Sequence, residues 1–264
     1  MDKPWYYTIN PYTQAALAGT QRSLGAGGTA GALVSEAHRK ATIVEAYAGF
    51  DKVMTATTLA SFTTPAGADK VGAIDSNPDV TYATAKDSMT QSIAVTGFTA
   101  SLAVKAGEIV EITGRNRLNL NTRQAVVTEA GANVPFTAVV TADVTLDGSG
   151  EGTLVVSGPA IYEATGAYNT VDSAPVATDV ITIKNAASTI FQPNLFWHKD
   201  AFSIGSVPIP KLYSTDTVAT TKDGLQIRVS KGASFRTNVQ SVRFDFQPAY
   251  ACLNPFYAGQ GWGS

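Results

Sequence analysis

Hydrophobic and polar positions alternate most regularly between residues 105 and 161. In 108–113, Ile109 and Ile112 are apolar, Val110 is β-branched, and Gly107 and Gly114 flank the run. Phe136, Ala138, Val140, Ala142 and Val144 recur at period two, which places them on one face of a strand. Asp147-Gly148-Ser149-Gly150 then makes a turn, because glycine tolerates positive φ and Asp bonds to its own backbone. Residues 154–156 form the return strand. The same reasoning predicts strands at 91–95, 122–128 and 178–184, joined as an antiparallel barrel or sandwich.

The flanks have a different texture. Asn10-Pro11 is a helix start, with Asn as cap and Pro in the first turn, and Gly19 closes that helix. A glycine-rich loop follows at 24–28. Leu33, Ala37, Val44 and Ala48 recur at helical spacing over 30–48, so the first 50 residues read as mostly helical. Residues 55–87 are rich in Thr, Ala, Gly and Pro and read as a long connection or weak β structure. Towards the C-terminus, 225–230 and 241–246 alternate strictly. Leu225, Ile227 and Val229 share one side, with Arg228 and Arg243 on or near the other, and 231–240 joins the two strands. A short strand at 249–253 ends the series. The order is a helical start, a β insertion and an α/β-type return, an α+β chain whose insertion leaves and rejoins at neighbouring points near Asp51 and Asn185. The expected domains are 1–50, 51–186 and 187–264.

Composition narrows the function. The chain has 264 residues, 19 basic against 21 acidic, and only 15% charged positions. That balance argues against a polycation wrapped on nucleic acid, and leaves open a protein that faces nucleic acid across solvent. A surface carried by uncharged Thr, Ser, Asn and Ala suits a chain that buries much of itself against its own copies, and is also common in secreted β modules. The single cysteine, Cys252, has no intrachain partner and reads as a small buried hydrophobe. No stretch approaches 18 consecutive apolar residues, so no helix-length span is expected in a membrane. The N-terminus lacks the basic start and apolar run of a signal peptide.

Candidate chemistry is sparse. Gly25-x-Gly27-x-x-Ala30 has the form of a dinucleotide loop, but a helix rather than a buried strand precedes it, so no cofactor is expected. His38 and His198 are the only histidines, and neither stands in register with a nucleophile and an acid. No zinc spacing exists. Asp143, Asp147 and Glu151 read as a solvated hairpin tip rather than a calcium loop. Arg115, Arg117 and Arg123 form the one local basic cluster, a strand edge or a contact to a neighbouring copy. Phe256, Tyr257 and Trp262 crowd the tail and need cover, from this chain or another.

Four patches carry a resemblance. They are Tyr47-Ala48-Gly49-Phe50-Asp51; Lys105-Ala106-Gly107-Glu108-Ile109 with Ile112-Thr113-Gly114; the paired strands of 136–161; and Asn194-Leu195-Phe196-Trp197 with Asp200-Ala201-Phe202 and Pro208-Ile209-Pro210. In order and spacing they resemble the coat proteins of short-tailed bacteriophages. The resemblance implies a tailed-phage capsid fold (Hong Kong 97 type) interrupted by an inserted β-barrel. It covers most of residues 10–258. The N-terminal arm, extended loop and long spine helix of that family have no counterpart here, so the chain is expected to correspond to about the C-terminal two-thirds of such a protein. The implied role is a non-enzymatic subunit of an icosahedral shell. Copies would form hexamers and pentamers and enclose double-stranded DNA without sequence-specific binding. Scaffolding, portal or decoration proteins are the further partners implied, with assembly in the host cytoplasm and residence in the virion. Arg115, Arg117, Trp197, Phe256, Tyr257 and Trp262 are the candidate subunit contacts. The rival is a secreted or surface β module that binds carbohydrate, which would place stacking aromatics on the barrel.

Overall fold

The computed structural model describes residues 4–24, 49–78, 80–213, 216–234 and 236–261. Gly25 to Gly28, the expected helix at 30–48 with His38, and Trp262 lie outside the described residues. Strand β1 (Trp5–Ile9) leads into α1 (Pro11–Leu24). Then come β2 (Lys52–Thr55), β3 (Phe62–Thr63), a 3-10 turn (Gly67–Lys70) and β4 (Val71–Ile74). A one-turn helix, α2 (Tyr82–Ala85), precedes β5 (Thr90–Thr96), β6 (Ala103–Val104), β7 (Ile109–Asn116), β8 (Pro135–Val140), β9 (Val144–Thr145), β10 (Gly152–Ser157) and β11 (Val180–Ile183). The final run is β12 (Ile190–Phe191), β13 (Asn194–His198), β14 (Phe202–Ser206), β15 (Thr217–Thr220), β16 (Gln226–Ser234), β17 (Val239–Phe246), β18 (Pro248–Cys252) and β19 (Ala258–Gly261). The chain divides into two compact units, Met1–Trp197 with Ala258–Ser264, and His198–Tyr257.

In the first unit, six strands close a barrel in the order β10-β5-β4-β11-β7-β8. Period-two alternation builds it. Ile93 and Val95, Val110 and Ile112, Phe136, Ala138 and Val140, Leu154 and Val156, and Ile181 and Ile183 all point inward and form one core. The expected hairpin keeps its turn: the Asp147 carboxylate accepts the N–H groups of Ser149 (2.8 Å) and Glu151 (2.9 Å). Its first strand, however, ends at Val140. Ala142 is exposed, because β9 leaves the barrel and pairs with β6.

The barrel hangs from an antiparallel neck. Phe62 and Thr63 of β3 pair with Phe191 and Ile190 of β12. Buried Thr64 exchanges bonds with Thr189 across it, N–H to carbonyl at 3.0 Å and Thr189 N–H to hydroxyl at 3.0 Å. The chain therefore leaves for the barrel and returns from it side by side. A separate four-stranded sheet, β19-β13-β1-β2, joins distant parts of the sequence. Asn194, fully buried, ties it together: its carboxamide oxygen accepts the Asn10 N–H (2.9 Å) and its amide donates to the Thr13 hydroxyl (3.2 Å).

The second unit holds the ribbon β14–β18 and the sheet β15-β16-β17. Its described residues contain strands and one 3-10 turn (Pro255–Tyr257) rather than an α/β return. The described chain as a whole is mostly β and sparsely helical.

Several expectations are corrected. Helix α1 is capped by Asn10, whose side chain accepts the Thr13 N–H at 2.7 Å, but it runs through Gly19 to Leu24. An exposed Gly inside a helix costs only about 1 kcal/mol and does not end it without a left-handed cap. A strand, β1, stands ahead of that helix. Residues 122–128 make isolated bridges rather than a strand, since none of them is buried and no face drives pairing. The 55–87 stretch supplies β4 to the barrel wall, where Gly72 leaves room for the Phe98 ring. Strands β16 and β17 stay paired to Ser234↔Val239, so the 231–240 connection is mostly ladder. Cys252 is exposed rather than buried, because it lies on the uncovered β14–β18 ribbon.

Candidate assembly surfaces

The second unit leaves large apolar side chains uncovered. Phe202 and Ile204 of β14 pair with Cys252 and Tyr250 of β18, and these residues line an apolar depression of ≈ 330 Å³. Tyr250 is 74% exposed and Phe244, on β17, 72%. A two-stranded ribbon with an open apolar face is weakly stable alone and needs a cover. Beyond Ser230, past the residues that β15 supports, the β16–β17 hairpin continues from Lys231 with both strands exposed. Its base is clamped by Arg228, which is 6% exposed. That guanidinium donates to Asp245 Oδ2 at 2.9 and 2.7 Å and to the Pro210 carbonyl at 2.7 Å. Both arginines hold Asp245 below the usual carboxylate range, Arg228 first.

The predicted contact residues fall in different surroundings. Arg115 forms a two-pronged pair with Asp179, Nε–Oδ2 2.7 Å and Nη2–Oδ1 2.8 Å, and donates to the Ser173 hydroxyl. Arg117 is half-buried, and that burial pushes its guanidinium below its usual range. Trp197 lies on β13, opposite Ala258, with its ring 6.0 Å from Tyr6. Phe256 is half-buried beside Asn254, which accepts its N–H at 3.0 Å. Tyr257 meets the His198 ring edge-on at 5.4 Å. The structure does not gather these residues into one patch. The surfaces that sequence reasoning missed are Phe202, Ile204, Phe244 and Tyr250. Their signal was alternation on strands with no second apolar layer to receive them.

No group of three or more metal-ligating side chains occurs among the described residues. Asp143 and Asp147 both serve turns, Asp143 accepting the Ala106 N–H (2.8 Å) and the Lys105 ammonium (2.8 Å). These bonds hold both carboxylates below their usual range. Among the described carboxyls Glu108 is the most deeply buried, with no exposed surface, inside the barrel end. Burial pushes its pKa up to about 7.

The described chain is thus mostly β, with a closed barrel around its own core and open apolar ribbons outside it. The chain belongs to the P22 coat protein family (gene protein 5), whose family description matches residues 2–263. The resemblance read from the sequence is thereby borne out. It is 35% identical over 262 residues to a major capsid protein of Acyrthosiphon pisum secondary endosymbiont phage 1. That alignment takes in 98% of this chain and 60% of the relative, so the chain spans about three-fifths of its length. A solved structure, the CUS-3 coat protein I-domain, aligns with 45% of this chain and 97% of its own at 20% identity and a TM-score of 0.30. That overlay is too loose to bear on the fold.

Proposed function

We propose that the chain is the structural subunit of an icosahedral phage capsid. Copies associate into hexamers and pentamers and close a shell around double-stranded DNA, without sequence-specific contacts. The work is mechanical and makes no bond. Scaffolding, portal or decoration proteins are its further partners, the host cytoplasm its place of assembly and the virion its final place. Family membership across 2–263 carries this reading. The uncovered apolar ribbons of the second unit support it, since each Å² buried between copies contributes about 25 cal/mol before the costs of association. The division at 51 and 186 is part of the proposal, supported by the neck at Thr64. So is a contact role for Arg117, Trp197, Phe256, Tyr257 and Trp262, and for the outward face of Arg115.

A carbohydrate-binding module would instead present a free aromatic platform on the barrel. Tyr82 and Tyr168 stack on each other at 4.1 Å, and the Arg123 guanidinium lies 5.8 Å from the Tyr168 ring centre. That pair is engaged within the chain. Sedimentation and negative-stain electron microscopy of the purified chain test the proposal. Rings, capsomers or shells are the expected result. A monomer at all concentrations up to those of a shell lattice, with retained affinity for a glycan array, would overturn it.

A further inference from the structure

We propose that the turn at residues 105–108 is a proton-operated latch. It holds the barrel end closed against Phe62 while the Glu108 carboxyl is protonated, and releases it when that carboxyl ionises. This goes beyond the capsid role and does not depend on it.

The sequence places Glu108 in phase with Val110 and Ile112, so the pleat turns its side chain inward with theirs. There it has no exposed surface. Oε2 accepts the Lys105 N–H at 3.1 Å, while Oε1 has no partner. An ionised carboxylate in that position would keep one oxygen without a donor, which penalises the charged form. The nearest cation does not offset this penalty. The Lys105 ammonium points outward and is held by Asp143 at 2.8 Å. The charged groups facing the carboxyl are Lys105, from its own turn, and Asp143, from the β8–β9 connection. Asp143 adds to the effect of burial in favouring the neutral acid. The Lys105 N–H and charge oppose it.

The turn is also a packing element. Its backbone is closed by Gly107 N–H to the Val140 carbonyl (2.8 Å) and Val140 N–H to the Glu108 carbonyl (2.9 Å). Gly107 adopts φ +94°, and a Cβ there would lie 3.4 Å from the Phe62 ring. Phe62 itself packs on Phe191 across the neck, with ring centres 5.5 Å apart. For Glu108 to reach water, the turn must move and the Gly107–Phe62 contact must open.

The direction of the pH effect follows. The carboxyl is protonated in the closed turn up to about pH 7, whereas a solvated Glu ionises near pH 4.3. Closure is therefore fully favoured below about pH 4.3, weakens as pH rises towards 7, and is level above that. Between pH 5 and pH 8 the opening equilibrium should rise by about tenfold to a hundredfold.

Hydrogen exchange on the full chain, corrected for the intrinsic pH dependence of exchange, reads this at the Gly107 and Val140 amides. In the wild type their protection should fall by that factor from pH 5 to pH 8. In Glu108→Gln, which keeps the shape and cannot ionise, protection should be level. A level profile in the wild type, or the same fall in Glu108→Gln, would overturn the latch. If Glu108→Gln does not fold, a carbon-13 titration of the wild-type Glu108 carboxyl decides. A midpoint near 7 supports the latch, and one near 4.3 overturns it.

Discussion

Arg115, at the end of β7, meets the Asp179 carboxylate edge-on, two parallel N–H···O bonds of 2.7 and 2.8 Å reaching the loop before β11. Both side chains are less than one-fifth exposed. Lysine cannot reproduce the fork. Arg115→Lys and Arg115→Ala should each lower the stability of the barrel by about 1–3 kcal/mol, read by denaturant unfolding. The Arg115 and Val176 N–H groups hold the Asp179 carboxyl below its usual range against the opposing effect of burial. The pair therefore contributes above the ordinary carboxylate range and is lost as pH falls through the lowered value. The acid limb of unfolding should be shallower in Asp179→Asn.

Two glycines with the same backbone conformation should respond differently. Gly97 and Gly150 both sit at φ +75°. A Cβ at Gly97 meets open space, but at Gly150 it would overlap the Phe98 carbonyl. Gly97→Ala should cost only the left-handed penalty, about 1–2 kcal/mol. Gly150→Ala should cost distinctly more, because backbone must move. Matching melting curves of the two variants check this.

Phe136 is the largest fully buried side chain of the core. Phe136→Ala should destabilise by about 3–5 kcal/mol, the lost transfer energy plus the cavity left behind. Equilibrium urea unfolding measures it directly.

The neck predicts where the barrel can be cut free. A fragment spanning 61–192 retains β3, β12 and every barrel strand. It should unfold in one cooperative transition by circular dichroism. A fragment beginning at 71 lacks the Thr64 bonds and should melt lower.

Phe202→Ser with Tyr250→Ser removes apolar surface that is already in solvent. Stability should change by less than about 0.5 kcal/mol per site, while the yield of assembled particles in sedimentation falls. A variant that loses stability instead would show that these rings are covered within the subunit.

Much of the barrel was legible in the sequence, because its strands obey a two-residue rhythm that burial enforces. β5, β7, β10 and β11 lie where they were expected, and β8 does as far as Val140. What escaped reading obeys other physics. β4, with Val71, Gly72, Ala73 and Ile74, is too short and glycine-broken to show a rhythm. β1 and β19 gain their partners from residues far along the chain, which no local pattern encodes. Cys252 and its neighbours look like core by composition but lie exposed on the β14–β18 ribbon. Arg228 was placed only on or near the polar side of its strand, and the cross-strand Asp245 that makes its burial tolerable is not encoded by local pattern. Glu108 was detectable by parity with Val110 and Ile112, yet its charge argued for solvent.

The Thr64 crossing has a mechanical consequence. Its hydroxyl donates to the Ala186 and Thr189 carbonyls, and the Ser188 N–H reaches the Pro65 carbonyl at 2.9 Å. Tension on the two ends of the neck meets the Phe62↔Phe191 and Thr63↔Ile190 pairs first and then this crossing. The chain beyond it, 65 to 188, feels no tension until those bonds rupture, so the barrel is shielded from a pull on its two connections.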